Sequence, residues 1–110
     1  MLTILERINQ IKGVTGSSLV SQDGIEIVSA FRTPVASELI SALIVSVQQV
    51  AGKLIAQSQS GALLQTMIEA TEGKFFVQVV ELGYLVVLAD YQSNTGLIRV
   101  EIAQVAPLIK

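Results

Sequence analysis

The sequence predicts an α+β fold, one antiparallel sheet with helices laid against it in the order α-β-β-α-β-β-β-α. Three observations carry this. Apolar residues recur at helical spacing at both ends and in the middle of the chain. Asp23-Gly24 sits between two β-rich runs, and three further strand-like runs follow one another with only short turns between them.

Each element has its local reason. Leu2, Leu5, Ile8 and Ile11 fall at helical spacing, and Lys12-Gly13 supplies a basic last turn and a stop, so the first dozen residues form an amphipathic helix. The runs VTGSSLVS and IEIVSAF flank Gln22 to Gly24, and Asp-Gly tolerates the positive φ of a tight turn; these are two hairpin strands. A long helix follows. It runs from Pro34, at a first helical position with Thr33 or Ser37 as cap, to about Gln59. Beyond Gly61, ALLQTMIEA, KFFVQVVEL and YLVVLADY are separated by Thr71 to Gly73 and by Gly83, giving three consecutive antiparallel strands. A last helix starts near Ser93 or Asn94 and uses Leu97, Ile98, Ile102, Val105 and Leu108.

Composition bounds the function. A chain of 110 residues is expected to be one domain, 1–110, without linker, repeat or low-complexity segment. Of its residues 51% are hydrophobic and 15% charged, against about 25% charged in ordinary globular chains, so more apolar surface is present than one small domain buries. A net charge of −2 with scattered basic residues argues against nucleic acid or an anionic membrane as partner. The stretch from Ser41 to Ile68 carries one charge, Lys53, yet Ser41, Ser46, Gln48, Gln49, Gln57 and Ser58 break it too often for a membrane span. Glu6, Arg7 and Lys12 stand among the first apolar residues where a signal peptide would place an apolar block. The expected location is the cytoplasm.

The chain has no Cys and no His, which removes disulfides, thiolate and imidazole chemistry and the commonest zinc ligands. No catalytic constellation, metal site or cofactor motif is expected. Gly16-Ser17-Ser18 has no base in any nearby motif and reads as strand or turn serines, and Gly52-Lys53 lacks the rest of a phosphate loop, leaving Lys53 as a solvated helix residue. Clustered carboxylates among Glu69, Glu72 and Glu81 would be needed for a catalytic reading, and nothing in their spacing predicts them.

The long helix raises the functional question. Leu39, Ile40, Leu43, Ile44, Val47, Val50, Ala51, Leu54 and Ile55 form one wide apolar stripe, expected to lie on the sheet. The opposite side should be charged. Instead Ser41, Val45, Gln48, Gly52 and Ala56 make a seam of small or uncharged residues that suits close approach of a second backbone. In the strand that follows, Leu64, Thr66 and Ile68 alternate with Gln65, Met67 and Glu69, and neither side is strongly polar; such a strand is expected to be an edge that pairs across a two-fold axis.

At this point the chain resembles the roadblock family of dynein light chains and prokaryotic GTPase regulators. The residues that carry the resemblance are IKGVTGSSLVSQDGIEIVSA from Ile11 to Ala30, the alanine- and leucine-rich central helix leading into Gly61, and NTGLIRVEI from Asn94 to Ile102. The resemblance implies a five-stranded antiparallel sheet with the central helix on one face and the two terminal helices on the other. It implies a homodimer, or a heterodimer with a paralogue, in which central helices pack together and middle strands join. It also implies a non-enzymatic adaptor or scaffold that binds a small Ras-like GTPase. The sequence as given ends at Lys110, short of the longer bacterial polarity regulators, so activity that needs their tail is not expected.

Two functional classes follow. In the first, the dimer interface is Ser41, Val45, Gln48, Gly52, Ala56, Leu64, Thr66 and Ile68, and a GTPase-binding surface is left at Ser37, Glu38, Gln49, Lys53 and Gln57. In the alternative, a small ligand is sensed in a pocket between sheet and helices lined by Phe75, Tyr84 or Tyr91, which requires a cavity of at least roughly 300 Å³.

Overall fold

The computed structural model describes residues 2–32 and 35–109; the expected cap Thr33 and first-turn Pro34 lie outside them. The elements are α1 (Leu2–Asn9), β1 (Val14–Ser21), β2 (Glu26–Phe31), α2 (Ser37–Gln57), β3 (Gln65–Glu69), β4 (Gly73–Val80), β5 (Gly83–Asp90) and α3 (Thr95–Val105), followed by a short 3-10 turn at Ala106–Leu108. The strands form one antiparallel sheet in the order β2-β1-β5-β4-β3, so β2 and β3 are its edges.

Turn chemistry places the strands. Gly24 takes φ +86° in the β1–β2 turn, closed by Ser21 N–H donating to Ile25 O at 2.8 Å. Gly83 takes φ +144° after Glu81-Leu82, and a Cβ there would strike the backbone of Val20 and Ser21 in neighbouring β1. Helix ends differ from the expectation in small, explicable ways. α1 stops at Asn9 because the residues after it turn, with Val14 N–H donating to Ile11 O at 3.0 Å. Ser37 is the first residue of α2 and not its cap; Ala36 precedes it and has no side-chain oxygen. α3 begins where Asn94 Oδ1 accepts from Leu97 N–H at 3.0 Å, and it gives way after Val105 to the 3-10 turn, in which Pro107 has no N–H to donate.

Helices cover both faces of the sheet, unequally. On one face α1 and α3 pack Leu5, Ile8, Ile98, Ile102 and Val105 onto Val14, Leu19, Phe76, Leu85 and Val87. Hydrogen bonds tie α1 down: Asn9 Nδ2 donates to Ala30 O at 2.7 Å, Ser17 Oγ donates to Asn9 Oδ1 at 2.8 Å, and Arg32 donates to the Asn9 carbonyl. On the other face α2 contributes one fully buried aliphatic, Ile44, to a small cluster with Val20, Val77 and Val86. By length and composition alone α2 could cross a membrane; here it lies on the sheet.

Candidate functional site

The central helix sits on the sheet rotated about its axis from the orientation its apolar pattern predicts, with only one edge of the apolar stripe turned inward. Ser41, Ile44 and Gln48 are its buried residues, whereas Leu39, Leu43, Val50 and Leu54 are 55–68% exposed. The expectation that the whole apolar stripe faces the sheet is therefore corrected. Only its Ile40 and Ile44 edge packs inward, with Val45, against Val20, Val77 and Val86. The reason lies in the floor. Valine side chains already fill the sheet surface there, and Gly24 of the β1–β2 turn comes so close that a Cβ on it would lie 3.3–3.7 Å from Val45, Ala42 and Ser41. Small side chains fit that approach and leucines do not. Buried Ser41 satisfies itself by donating to Ser37 O at 2.8 Å, but both amide atoms of Gln48 lack a partner among the described residues.

The residues expected to carry function are divided between the inward and outward sides. Of the seam, Ser41 and Gln48 are enclosed by their own sheet, Val45 and Gly52 are half-buried, and Ala56 is exposed. The expectation that this seam faces outward is thus corrected for Ser41 and Gln48: its small residues serve close approach to the chain's own sheet. A Cβ on Gly52 would meet nothing within 4 Å, so no close packing within the chain requires that glycine. Leu64 is 69% exposed, Ile68 is exposed and Thr66 is half-buried. Glu38, Gln49, Lys53 and Gln57 are all exposed beside the outward leucines, and Ser37 is half-buried. At 3.6 residues per turn, Glu38, Gln49 and Lys53 fall on one shoulder of the apolar stripe.

Exposed apolar side chains stand on the outward side of α2 and at the β3 edge. Leu39, Leu43, Val50 and Leu54 lie on the helix, and Leu64, Met67 and Ile68 on or beside β3. The two sheet edges are built differently. At β2 the pairing shifts between Leu19↔Val28 and Val20↔Glu26, leaving Ile27 as a bulged residue that breaks the edge. At β3 the pairing with β4 is regular from Gln65↔Gln78 to Glu69↔Lys74, and among the described residues no strand pairs with its other side.

The other two readings find less support. Phe75 and Tyr84 pack against the Val20, Val77 and Val86 cluster, whereas Tyr91 is exposed in a surface depression with Glu69, Ala70 and Thr71, apart from the other two. Glu72 and Glu81 sit at opposite ends of β4, and Glu69 stands 4.0 Å from Lys74 Nζ. Among the described residues no cluster of three acidic side chains could hold a metal. Sequence reasoning missed Lys74, which is 5% exposed and donates to Ser93 O at 3.0 Å and Thr95 Oγ1 at 2.9 Å. Its strand phase, shared with Phe76, was the available signal.

Known proteins share this architecture. The Roadblock/LC7 domain model matches residues 1–89. The chain belongs to the Roadblock/LC7 family. A relative over nearly the whole length is uncharacterized protein MJ0310 of Methanocaldococcus jannaschii, 36% identical over 107 residues that cover 97% of this chain and 94% of that protein. Among solved structures, a Roadblock/LC7 domain from Streptomyces avermitilis superposes with a TM-score of 0.90 at 17% identity, covering 99% of this chain and 93% of that one. Myxococcus xanthus MglB superposes with a TM-score of 0.88 at 19% identity, covering 96% and 87%. The two solved structures share the fold of this chain.

Proposed function

We propose that the chain is a dimeric, non-enzymatic adaptor that binds a small Ras-like GTPase through its paired central helices. The Roadblock/LC7 family is one of regulatory and adaptor proteins, which supports the class. The observation that carries the reading is the outward side of α2, where leucines and a valine more than half exposed run beside Glu38, Gln49 and Lys53. An apolar stripe of this kind on a small chain marks an interaction surface. A second copy covers it by a two-fold operation, which sets like against like and leaves the amide-rich shoulder at the rim.

That shoulder suits a regulated partner. Gln49 and Gln57 accept several hydrogen-bond geometries, and Lys53 is a compact, strongly hydrated charge that suits a rim position where it keeps its water. A Ras-like protein reorders its switch loops with the γ-phosphate, so a binder that touches those loops distinguishes the nucleotide states. Titration calorimetry with a Ras-like GTPase from the same genome, loaded with GDP and then with a GTP analogue, is expected to show binding in at least one state. The binding is lost when Lys53→Glu and Gln49→Glu are combined. Absence of binding in both states, or binding untouched by the double substitution, overturns the proposal.

A further inference from the structure

The side of the sheet away from α2 has an open surface of its own. A groove of about 570 Å³ runs between the start of β3 and the second half of α3 with its 3-10 turn, walled by Val100, Ala103, Ala106 and Pro107 and faced by Leu64. Leu64 is 69% and Val100 53% exposed. Gln65 at its floor shares a strand phase with Met67, and Met67 pairs with Phe76 of the core under α1 and α3, so the groove lies on the face opposite α2.

Its shape and chemistry select the occupant. The groove is wide open to solvent, and a small molecule lying in it would stay far short of the about 70–90% burial that ligand pockets give. A chain segment fits better. The backbone groups of the wall run along a helix and those of the floor lie in the plane of the sheet, so only side chains face the groove. A segment that finds no backbone partners must satisfy its own, as a helix does and an extended strand does not. Charge then narrows the helix. Arg99 is the one charged side chain along the groove, and among the described residues no carboxylate stands within 4.0 Å of it, since neighbouring Glu101 is held by Arg7 at 3.6 Å. The floor amides are engaged nearby: Gln65 Nε2 donates to Gln78 Oε1 at 3.3 Å, and Gln78 Nε2 donates to Leu64 O at 3.0 Å. The guanidinium fork is the unspent donor, and a carboxylate matches it.

We infer that this groove docks an amphipathic helix of a partner protein, which lays an apolar ridge against Val100, Ala103 and Leu64 and offers a carboxylate to Arg99. The inference rests on the adaptor reading of the proposed function and gives that adaptor its second surface. A GTPase at α2 and a helix here sit on opposite faces of the sheet, so neither excludes the other. The probe is a phage-displayed library of amphipathic helices of about 14 residues, roughly the length needed to follow α3, with positions beside the apolar face free to be Glu, Gln or Lys. It is selected on the unsubstituted chain with no GTPase present. Recovered helices are expected to carry Glu beside the ridge. Arg99→Glu or Ala103→Arg, both at exposed positions, should weaken a recovered helix about tenfold or more by fluorescence anisotropy, the effect of losing a charge-assisted hydrogen bond or filling the groove. Exchanging the helix's Glu for Lys should restore binding to the Arg99→Glu chain. A library that yields no binder, or binders indifferent to both substitutions, overturns the docking site. A smaller sedimenting mass for the Ala103→Arg chain than for the parent assigns the groove to a second copy and overturns it as well. Failure of a GTPase to bind leaves the result untouched, because none enters the measurement.

Discussion

Lys74 shows what one residue does for this fold. Its ammonium is buried on β4 and donates to the Ser93 carbonyl and the Thr95 hydroxyl, which fastens the start of α3 to the sheet. A buried cation held by two hydrogen bonds is costly to disturb, since the acceptor carbonyl loses its partner in an enclosed site. Lys74→Met keeps the stem's bulk and removes both bonds, with an expected loss of about 1.5–3 kcal/mol of stability in thermal or urea unfolding. Glu69→Gln should move it far less, because Glu69 is 64% exposed and 4.0 Å away. A Lys74→Met chain as stable as the parent would show that the lysine merely occupies its space. Gln48 is the converse case, an enclosed amide without partner among the described residues on a helix face otherwise small or apolar.

At the scale of elements, most of the order was legible because its signals are local. Asp23-Gly24 and Gly83 set turns by backbone geometry, strand alternation needs only neighbouring residues, and Asn94 caps the helix it precedes. The orientation of α2 was not legible. Hydrophobic periodicity names the face that should leave water, but not whether the chain's own sheet or another molecule takes it there. Leu43 and Val50 satisfy the helical pattern equally well either way, and what decides between them is the space left above Val20, Val77 and Val86 by Gly24. The seam of small residues correctly signals a close approach and says nothing about which surface approaches. For the same reason the sequence points to the exposed shoulder at Gln49 and Lys53 while sending the leucines beside it to the core. Gly52 gives this a test. A methyl added there would meet no atom of the rest of the chain within 4 Å, so an alanine fits, and replacing a mid-helix glycine raises helix stability by about 0.5–1 kcal/mol. Gly52→Ala is expected to melt higher in a dilute sample. A lower melting point there would mean that another backbone lies against Gly52.

For the whole molecule, the two layers of helix are unequal in what they bury. Among the described residues, the face under α1 and α3 encloses thirteen core residues and the face under α2 only four, so α2 is the lightly held layer and its outward side is the apolar one. Cover for Leu39, Leu43, Val50 and Leu54 would supply apolar burial that the sheet does not. This separates folding from assembly. Leu43 and Leu54, at 55% and 68% exposure, contribute little to the single chain, so Leu43→Ser with Leu54→Ser should leave the circular dichroism spectrum intact. In a two-fold dimer each substitution counts twice. With about 1 kcal/mol or more for each half-exposed leucine newly buried, the pair removes roughly 4 kcal/mol from association, about a thousandfold in Kd. Sedimentation velocity over a range of concentrations is expected to show the parent as dimer and the variant as monomer at the same loading. The melting temperature of the parent should rise with concentration while that of the variant stays constant. A variant that remains dimeric with an unchanged Kd would move the interface off the outward face of α2, and the amide shoulder at Gln49 and Lys53 would lose its place at the rim.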